Sequence, residues 1–600
     1  MRSDRWKNNS NPDDFMGKGR SLKDKSGAFF HLVRYAANFR WLIAFALVLC
    51  LVSNVLALLG PILAGKAIAE AAAGAGKVNF TKVFYYARWM LVFYITSSLL
   101  TLAINFMMMH VGRWVGRKMR RDVFDKLTRL PVRYFDQNAA GDIISRVSYD
   151  IDAACLSIST DLVQIMTSMV TVVGSFAMMI YISPLLSLTM CVTIPLAVIY
   201  TTHMSGITRP LYSRRSAAYG RMNGRAEEIF SGQKTILAYA QEDTFLGRFD
   251  EANNAAADAY YKAQYQGMAI GPSVGCVNNI GLSMVGMFGA VLYLRGVVTL
   301  EHISAFVLYS RKFSGPINEI ANIINEIYSA LSAAERVFRL LDEPEEEPDR
   351  EDAEVLEHVK GDVVLRDVSF GYDPGKTIIH HLDLNADAGK MIAIVGPTGA
   401  GKTTIINLLM RFYDVDEGEI QVDDKEIRSL ERSSVRRAYA MVLQDTWLFG
   451  GTVYENIAYG REGATREEVI AAAKAANIHH YIMLLPDGYD TVLGEDGGNI
   501  SKGQKQMLTI ARAMLYDAKM LILDEATSNV DTNTERQIQA AMRGLMKDKT
   551  CFVIAHRLST IQNADRILVV DQGNVIEQGT HQELIEQKGF YYRLYASQFE

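Results

Sequence analysis

Six hundred residues are more than one hydrophobic core organises, since domains usually run about 100–200 residues, so several units are expected. Hydrophobic residues make up 49% and charged residues 22%, and the apolar share is concentrated in runs that rule out a wholly soluble or disordered chain. The formal net charge of −5 gives no support for nucleic-acid binding, which favours a basic footprint. Cys50, Cys155, Cys191, Cys276 and Cys551 stand singly, without a C-x-x-C pair, so neither a metal site nor a disulfide framework follows.

The first 40 residues are polar and basic, with no short apolar segment and cleavage site, and read as a cytosolic lead. Apolar runs near the spanning length of ~20 residues follow at Trp41–Leu59, Phe84–Met109, Leu162–Ile182, Leu185–Tyr200, Met268–Leu294 and Ile303–Ile323. The first is expected to end at Gly60-Pro61, and the sixth is the most polar. Arg34 and Arg40, the cluster Arg113–Arg121, and Arg209–Arg215 fall on one side if six spans alternate, and that side is expected to be cytosolic. The inner links, 112–160 and 203–265, are long, poor in proline and apolar at helical spacing, which predicts helices continuing into the cytosol. A charged, proline-broken stretch, Asp342–Pro348, reads as a solvated linker.

From about Gly361 short β-rich runs alternate with helical ones. Met391–Val395 is a buried-type strand that runs into Gly396-Pro397-Thr398-Gly399-Ala400-Gly401-Lys402-Thr403, with Thr404 opening a helical pattern. This is G-x-x-x-x-G-K-[ST] in its strand–loop–helix context. Glycines let backbone N–H groups approach phosphate at a helix N-terminus, Lys402 reaches the β- and γ-phosphates, and the Thr403 hydroxyl suits Mg²⁺. A second apolar strand, Met520–Leu523, ends in Asp524-Glu525, at the strand end where parallel sheets bind ligands. Asp524 can hold Mg²⁺ through water, and Glu525 can polarise an attacking water.

These motifs, in this order, resemble an ABC exporter half-transporter. Ile500–Gln504 resembles the LSGGQ signature, with Ser501, Lys502, Gly503 and Gln504 implied to complete a partner's nucleotide site. Ser528–Asp531 resembles the D-loop, with Asp531 its acid, and Ala555-His556-Arg557 the switch-histidine segment. Tyr372 resembles the aromatic that stacks on adenine, Gln444 falls where nucleotide and Mg²⁺ are contacted, and Glu495 sits at the X-loop acid. Taken alone, Tyr372 reads as a packed strand aromatic and Ser501 as a helix N-cap. Pro131–Asp150 and Glu227–Tyr239 resemble the exporter's cytosolic links, whose coupling helices are expected to dock near the Gln444 segment.

The resemblance implies a multi-domain fold. A cytosolic segment, 1–40, precedes an all-α six-helix transmembrane domain with long cytosolic extensions, 41–340. A linker, 341–360, leads to an α/β P-loop ATP-binding cassette, 361–600. It implies ATP and Mg²⁺ as cofactors, with Lys402, Glu525 and His556 catalytic, and ATP-driven export of small amphipathic substrates (drug-like, lipid or peptide) from a bacterial plasma membrane. The N-terminus and cassette would be cytoplasmic. The partner is a second half-transporter. A heterodimer is favoured because Ile500 and Lys502 depart from the signature while Glu525 is intact; a homodimeric lipid flippase is the alternative, and an ATP-gated channel or regulator ranks below both. On the sixth span Asn318, Asn322 and Asn325 share a face, and with Arg311 and Glu319 they are expected to line the substrate path or, equally, a stalk outside the bilayer.

Overall fold

The computed structural model describes residues 30–72, 74, 77–373, 375–443, 446–494, 500–524, 532–554 and 561–597, without the side chains of 191, 197, 314, 317–322, 324, 325, 532 and 533. The chain forms two units. One comprises Met1–Thr128 and Ala140–Glu343, the other Arg129–Ala139 and Pro344–Glu600.

The first unit is built from long helices: α1 (Arg40–Ala71), α2 (Phe80–Leu127), a chain of turns from Ala140 into α4 (Leu162–Ile182), α5 (Pro184–Ser231), α6 (Glu242–Leu294) and α7 (Leu300–Asp342). The short helix α3 (Val132–Gln137) belongs to the second unit. At 1.5 Å per residue α2 and α5 are each about 72 Å long and α6 about 80 Å, against a hydrocarbon core of about 30 Å. Each therefore extends far beyond a bilayer. The apolar segments of α1 and α2 leave Val48, Leu51, Val55, Leu91, Leu99 and Leu102 exposed, as expected of lipid-facing or partner-facing surface. Buried contacts are made by Leu58, Met179, Val285, Phe306 and Tyr309 in one cluster and by Ala46, Cys50, Ile104 and Met108 in another.

Five helices among the described residues are long and apolar enough to span a membrane. The sixth, α7, is present at 43 residues, but its polar positions keep it below that threshold. The expected stop at Gly60-Pro61 is overturned: α1 continues through Pro61 to Ala71. Proline removes the N–H that would bond the carbonyl four residues back, here Ala57. Lys312 Nζ donates to Ala57 O at 2.6 Å and Tyr309 Oη donates to Leu58 O, both from α7. Membrane helices tolerate proline where neighbours satisfy the freed groups in this way.

Hydroxyls join α1 to α2, with Ser53 Oγ donating to Ser97 O at 2.9 Å and Ser97 Oγ to Ser53 O at 3.0 Å. Farther along, the turns Arg146–Asp150 and Ser157–Asp161 are π-helical. The Arg336 guanidinium of α7 holds Asp150 by two bonds, the Nε one at 2.8 Å.

The second unit contains a six-stranded sheet, ordered β12-β11-β3-β10-β9-β6. These strands are β3 (Met391–Val395), β6 (Tyr439–Val442), β9 (Met520–Asp524), β10 (Thr550–Ile554), β11 (Arg566–Asp571) and β12 (Asn574–Gly579). All pairs are parallel except β11–β12. An antiparallel sheet, β2-β1-β4-β5, is built from β1 (Val363–Phe370), β2 (Ile379–Ala386), β4 (Glu417–Val422) and β5 (Lys425–Glu426), and a short antiparallel pair from β7 (Gly451–Thr452) and β8 (Val492–Leu493). Ile392, Ile394, Ile405 and Leu409 pack between the sheets with Leu365 and Leu382. The acidic stretch after Asp342 is irregular and largely exposed, but it is anchored at two points. Glu346 pairs with Arg436, and Glu347 O accepts from Arg432.

Candidate functional site

β3 delivers the phosphate loop. Gly401 caps α8 (Lys402–Leu409) at φ 103°, a left-handed conformation that glycine adopts without strain. Gly396 leaves the sheet so close to β11 that a Cβ would lie 2.0 Å from Val570 O. Only a bare backbone fits there. Lys402 is buried, and its Nζ donates to Gly396 O at 2.8 Å and Pro397 O at 3.0 Å, which holds the ammonium across the loop. Burial pushes its pKa below the usual lysine range, opposed by the Asp524 carboxylate. Thr403 is exposed and Thr404 buried in the first turn of α8.

The register aligns the rest. Ile554 of β10 sits opposite Ile394 of β3 on one side and Asp524 of β9 on the other. Asp524 therefore ends its strand in the same row, two strands or about 10 Å from β3, and Gly396 departs from that edge. Gln444, Glu495, Glu525, Asp531 and His556 lie outside the described residues.

Tyr372 follows β1. Its hydroxyl donates to Thr404 Oγ1 at 3.3 Å and accepts from Asn407 Nδ2 at 3.0 Å, which ties the ring to α8. Phe370 and Tyr413 meet the ring edge-on at 5.2 and 5.0 Å. An unexpected element completes this corner. Arg133 of α3 donates to Tyr372 O at 2.7 Å, and Tyr413 Oη bonds Asp136. The sequence marks 131–150 as a coupling link but gives no sign that its first turn meets these tyrosines; Gln444, near which it is expected to dock, lies outside the described residues. The second link, 227–240, lies in the first unit.

Ser501 caps α9 (Lys502–Tyr516). Its hydroxyl accepts from Gln504 N at 3.3 Å, while Gln504 Oε1 accepts from Ser501 N at 2.9 Å. The signature residues thus form a capping box, with Lys502 exposed and Gly503 buried against the core. Arg311 of α7 is exposed; the side chains of Asn318, Glu319 and Asn322 lie outside those described.

Residues 43–317 match the ABC transporter transmembrane region and residues 379–528 the ABC transporter ATP-binding family. An ABC transporter ATP-binding protein of Bacillus subtilis, YfiC, is 42% identical over 97% of this chain and 96% of its own. The chain belongs to the ABC transporter family. A fatty acid ABC transporter ATP-binding/permease protein of Mycobacterium bovis is 44% identical over 80% of this exporter and 75% of its own length. A bacterial Atm1-family ABC exporter, solved with ATP bound, superposes with a TM-score of 0.75 at 30% identity, covering 94% of this chain and 99% of that one. This ABC exporter is accordingly a membrane ATPase, with transmembrane helices followed by a C-terminal ATP-binding domain.

Proposed function

We propose that the exporter moves lipid-like amphiphiles across the plasma membrane as one of two half-transporters that share two ATP sites. The observation that carries this is the division of labour in the second unit. Lys402 and Asp524 converge at one sheet edge, while the Ser501–Gln504 box opens a separate helix. In this reading Tyr372 stacks on adenine and residues 396–404 wrap the phosphates. Lys402 neutralises charge on the β- and γ-phosphates, and Glu525 takes a proton from the attacking water while His556 steadies the γ-phosphate. Thr403, Gln444 and Asp524 would hold Mg²⁺, which would neutralise charge developing on the phosphates. Ser501, Lys502, Gly503 and Gln504, with Asp531, would serve the partner's nucleotide.

The departures at Ile500 and Lys502 favour a non-identical partner. The named activity of the mycobacterial relative favours a lipid substrate over a drug or peptide. Arg311, Asn318, Glu319 and Asn322 remain the proposed substrate path. Reconstituting the chain alone in liposomes tests both points. ATP hydrolysis abolished by Glu525→Gln and stimulated by fatty acid would support the lipid reading and make a second gene product unnecessary. An inert chain activated by a related half-transporter would support the heterodimer. Equal stimulation by peptides and by lipids would reject lipid selectivity.

A further inference from the structure

The spans Trp41–Leu59, Phe84–Met109, Leu162–Ile182, Leu185–Tyr200 and Met268–Leu294 contain no Asp or Glu, and Ile303–Ile323 contains only Glu319. Lys312 nevertheless stands within this apolar unit. It lies twelve residues from the start of α7, Ala57 fourteen from the end of α1, and Tyr94 fourteen from the start of α2. At 1.5 Å per residue each is about 18–21 Å from its helix end, and Lys312 lies nine residues inside the expected Ile303–Ile323 span. Lys312 is half-buried, donates to the Ala57 carbonyl freed by Pro61, and lies 5.6 Å from the centre of the Tyr94 ring. Among the described residues no carboxylate is paired with it. The Glu319 side chain lies outside those described.

A carbonyl and a ring face stabilise an ammonium without neutralising it. An ionisable group kept within a membrane span marks function more often than structure, and a lysine has three donors, of which one is used among the described residues.

We propose that Lys312 is the recognition point for the anionic headgroup, carboxylate or phosphate, of an amphiphilic substrate. The Ala57 carbonyl is its resting partner, which the headgroup replaces. This rests on the lipid-export reading and names the chemistry that reading leaves open.

The test uses the assembled, full-length exporter in nanodiscs, with ATP hydrolysis followed against oleate, oleyl phosphate, oleyl alcohol and oleylamine. One or both anions should half-stimulate the wild type at least tenfold below oleyl alcohol. Lys312→Met should raise the anion values to that of the alcohol, and Lys312→Arg should largely retain the preference. Pro61→Ala restores an N–H to Ala57, frees Lys312, and should lower the anion values severalfold without moving the alcohol's. Anions and alcohol acting alike in the wild type would overturn the assignment, as would a Lys312→Met change that shifts all four ligands equally. Should Lys312→Met fail to assemble, an unaltered anion response in Pro61→Ala would overturn it. If ATP is hydrolysed but none of the four alters the rate, the lipid-export reading falls with it; if oleyl alcohol stimulates and Lys312→Met leaves the anion response intact, only the Lys312 assignment falls.

Discussion

Each unit of the chain withdraws one lysine from water and rests its ammonium on main-chain carbonyls. In the cassette Lys402 lies across Gly396 O and Pro397 O, and in the membrane unit Lys312 lies on Ala57 O. The difference is in who supplies the carbonyl. Lys402 bonds a loop five and six positions away, in a single short motif. Lys312 reaches across 255 positions to a carbonyl exposed only because Pro61 cannot donate. A local contact leaves a motif; a distant one leaves two unremarkable residues.

The sharpest way to break the parallel is at the nucleotide. Lys402→Ala should lower ATP hydrolysis by about 10²-fold or more, the scale of losing one charge-stabilising donor, with every amphiphile tested. Residual substrate-stimulated turnover at wild-type rate would remove Lys402 from the chemistry. Gly396→Ala comes next. The added methyl meets Val570 O, and overpacking of this kind costs about 1–3 kcal/mol. Nucleotide-dependent thermal stabilisation should largely vanish, and an unchanged shift would mean that the loop can move aside.

Arg133→Ala removes a charged hydrogen bond worth about 1.5–3 kcal/mol, so half-saturation by ATP should rise severalfold while Lys312-dependent ligand preference stays put. A change in preference without a change in ATP affinity would contradict this. Ser501→Ala should cost about 0.5–2 kcal/mol of cassette stability through the lost cap, seen as a lowered unfolding temperature. If Ser501 serves only as a cap, Ser501→Asp should restore both stability and turnover; stability without turnover would point to the partner's nucleotide. The smallest effect concerns thiols. Burial pushes Cys551 up to about 12, so at pH 8 it should be alkylated far more slowly in the folded cassette than in the denatured chain. Equal rates in the two states would show that the cassette opens.

The strand–loop–helix of residues 391–409 is readable because its parts are contiguous. A strand, three glycines, a lysine and a threonine in sequence dictate a loop whose backbone faces phosphate, and Asp524 ends its strand where a parallel sheet binds ligands. The long helices were readable from apolar runs and from links too regular to be loops. The end of α1 was misread because Gly60-Pro61 stops a helix in water, whereas here α7 supplies the donors that let it continue. Asp342–Pro348 is exposed as its composition suggests, but its anchors, Arg432 and Arg436, lie some 90 positions away and leave no local pattern. No pattern in 131–137 announces that Arg133 and Asp136 bond Tyr372 and Tyr413, because neither partner is near in sequence.

Residues 129–139 enter the cassette's fold while the chain on both sides of them belongs to the other unit. A cassette excised at Pro344 would therefore lack a native piece of itself. Tyr372 would lose the guanidinium on its carbonyl and Tyr413 its acid, and this aromatic corner would be left uncovered. Nucleotide affinities measured on such a fragment would describe a damaged pocket. A graft of this cassette onto a foreign membrane half would inherit the same wound unless these eleven residues travelled with it.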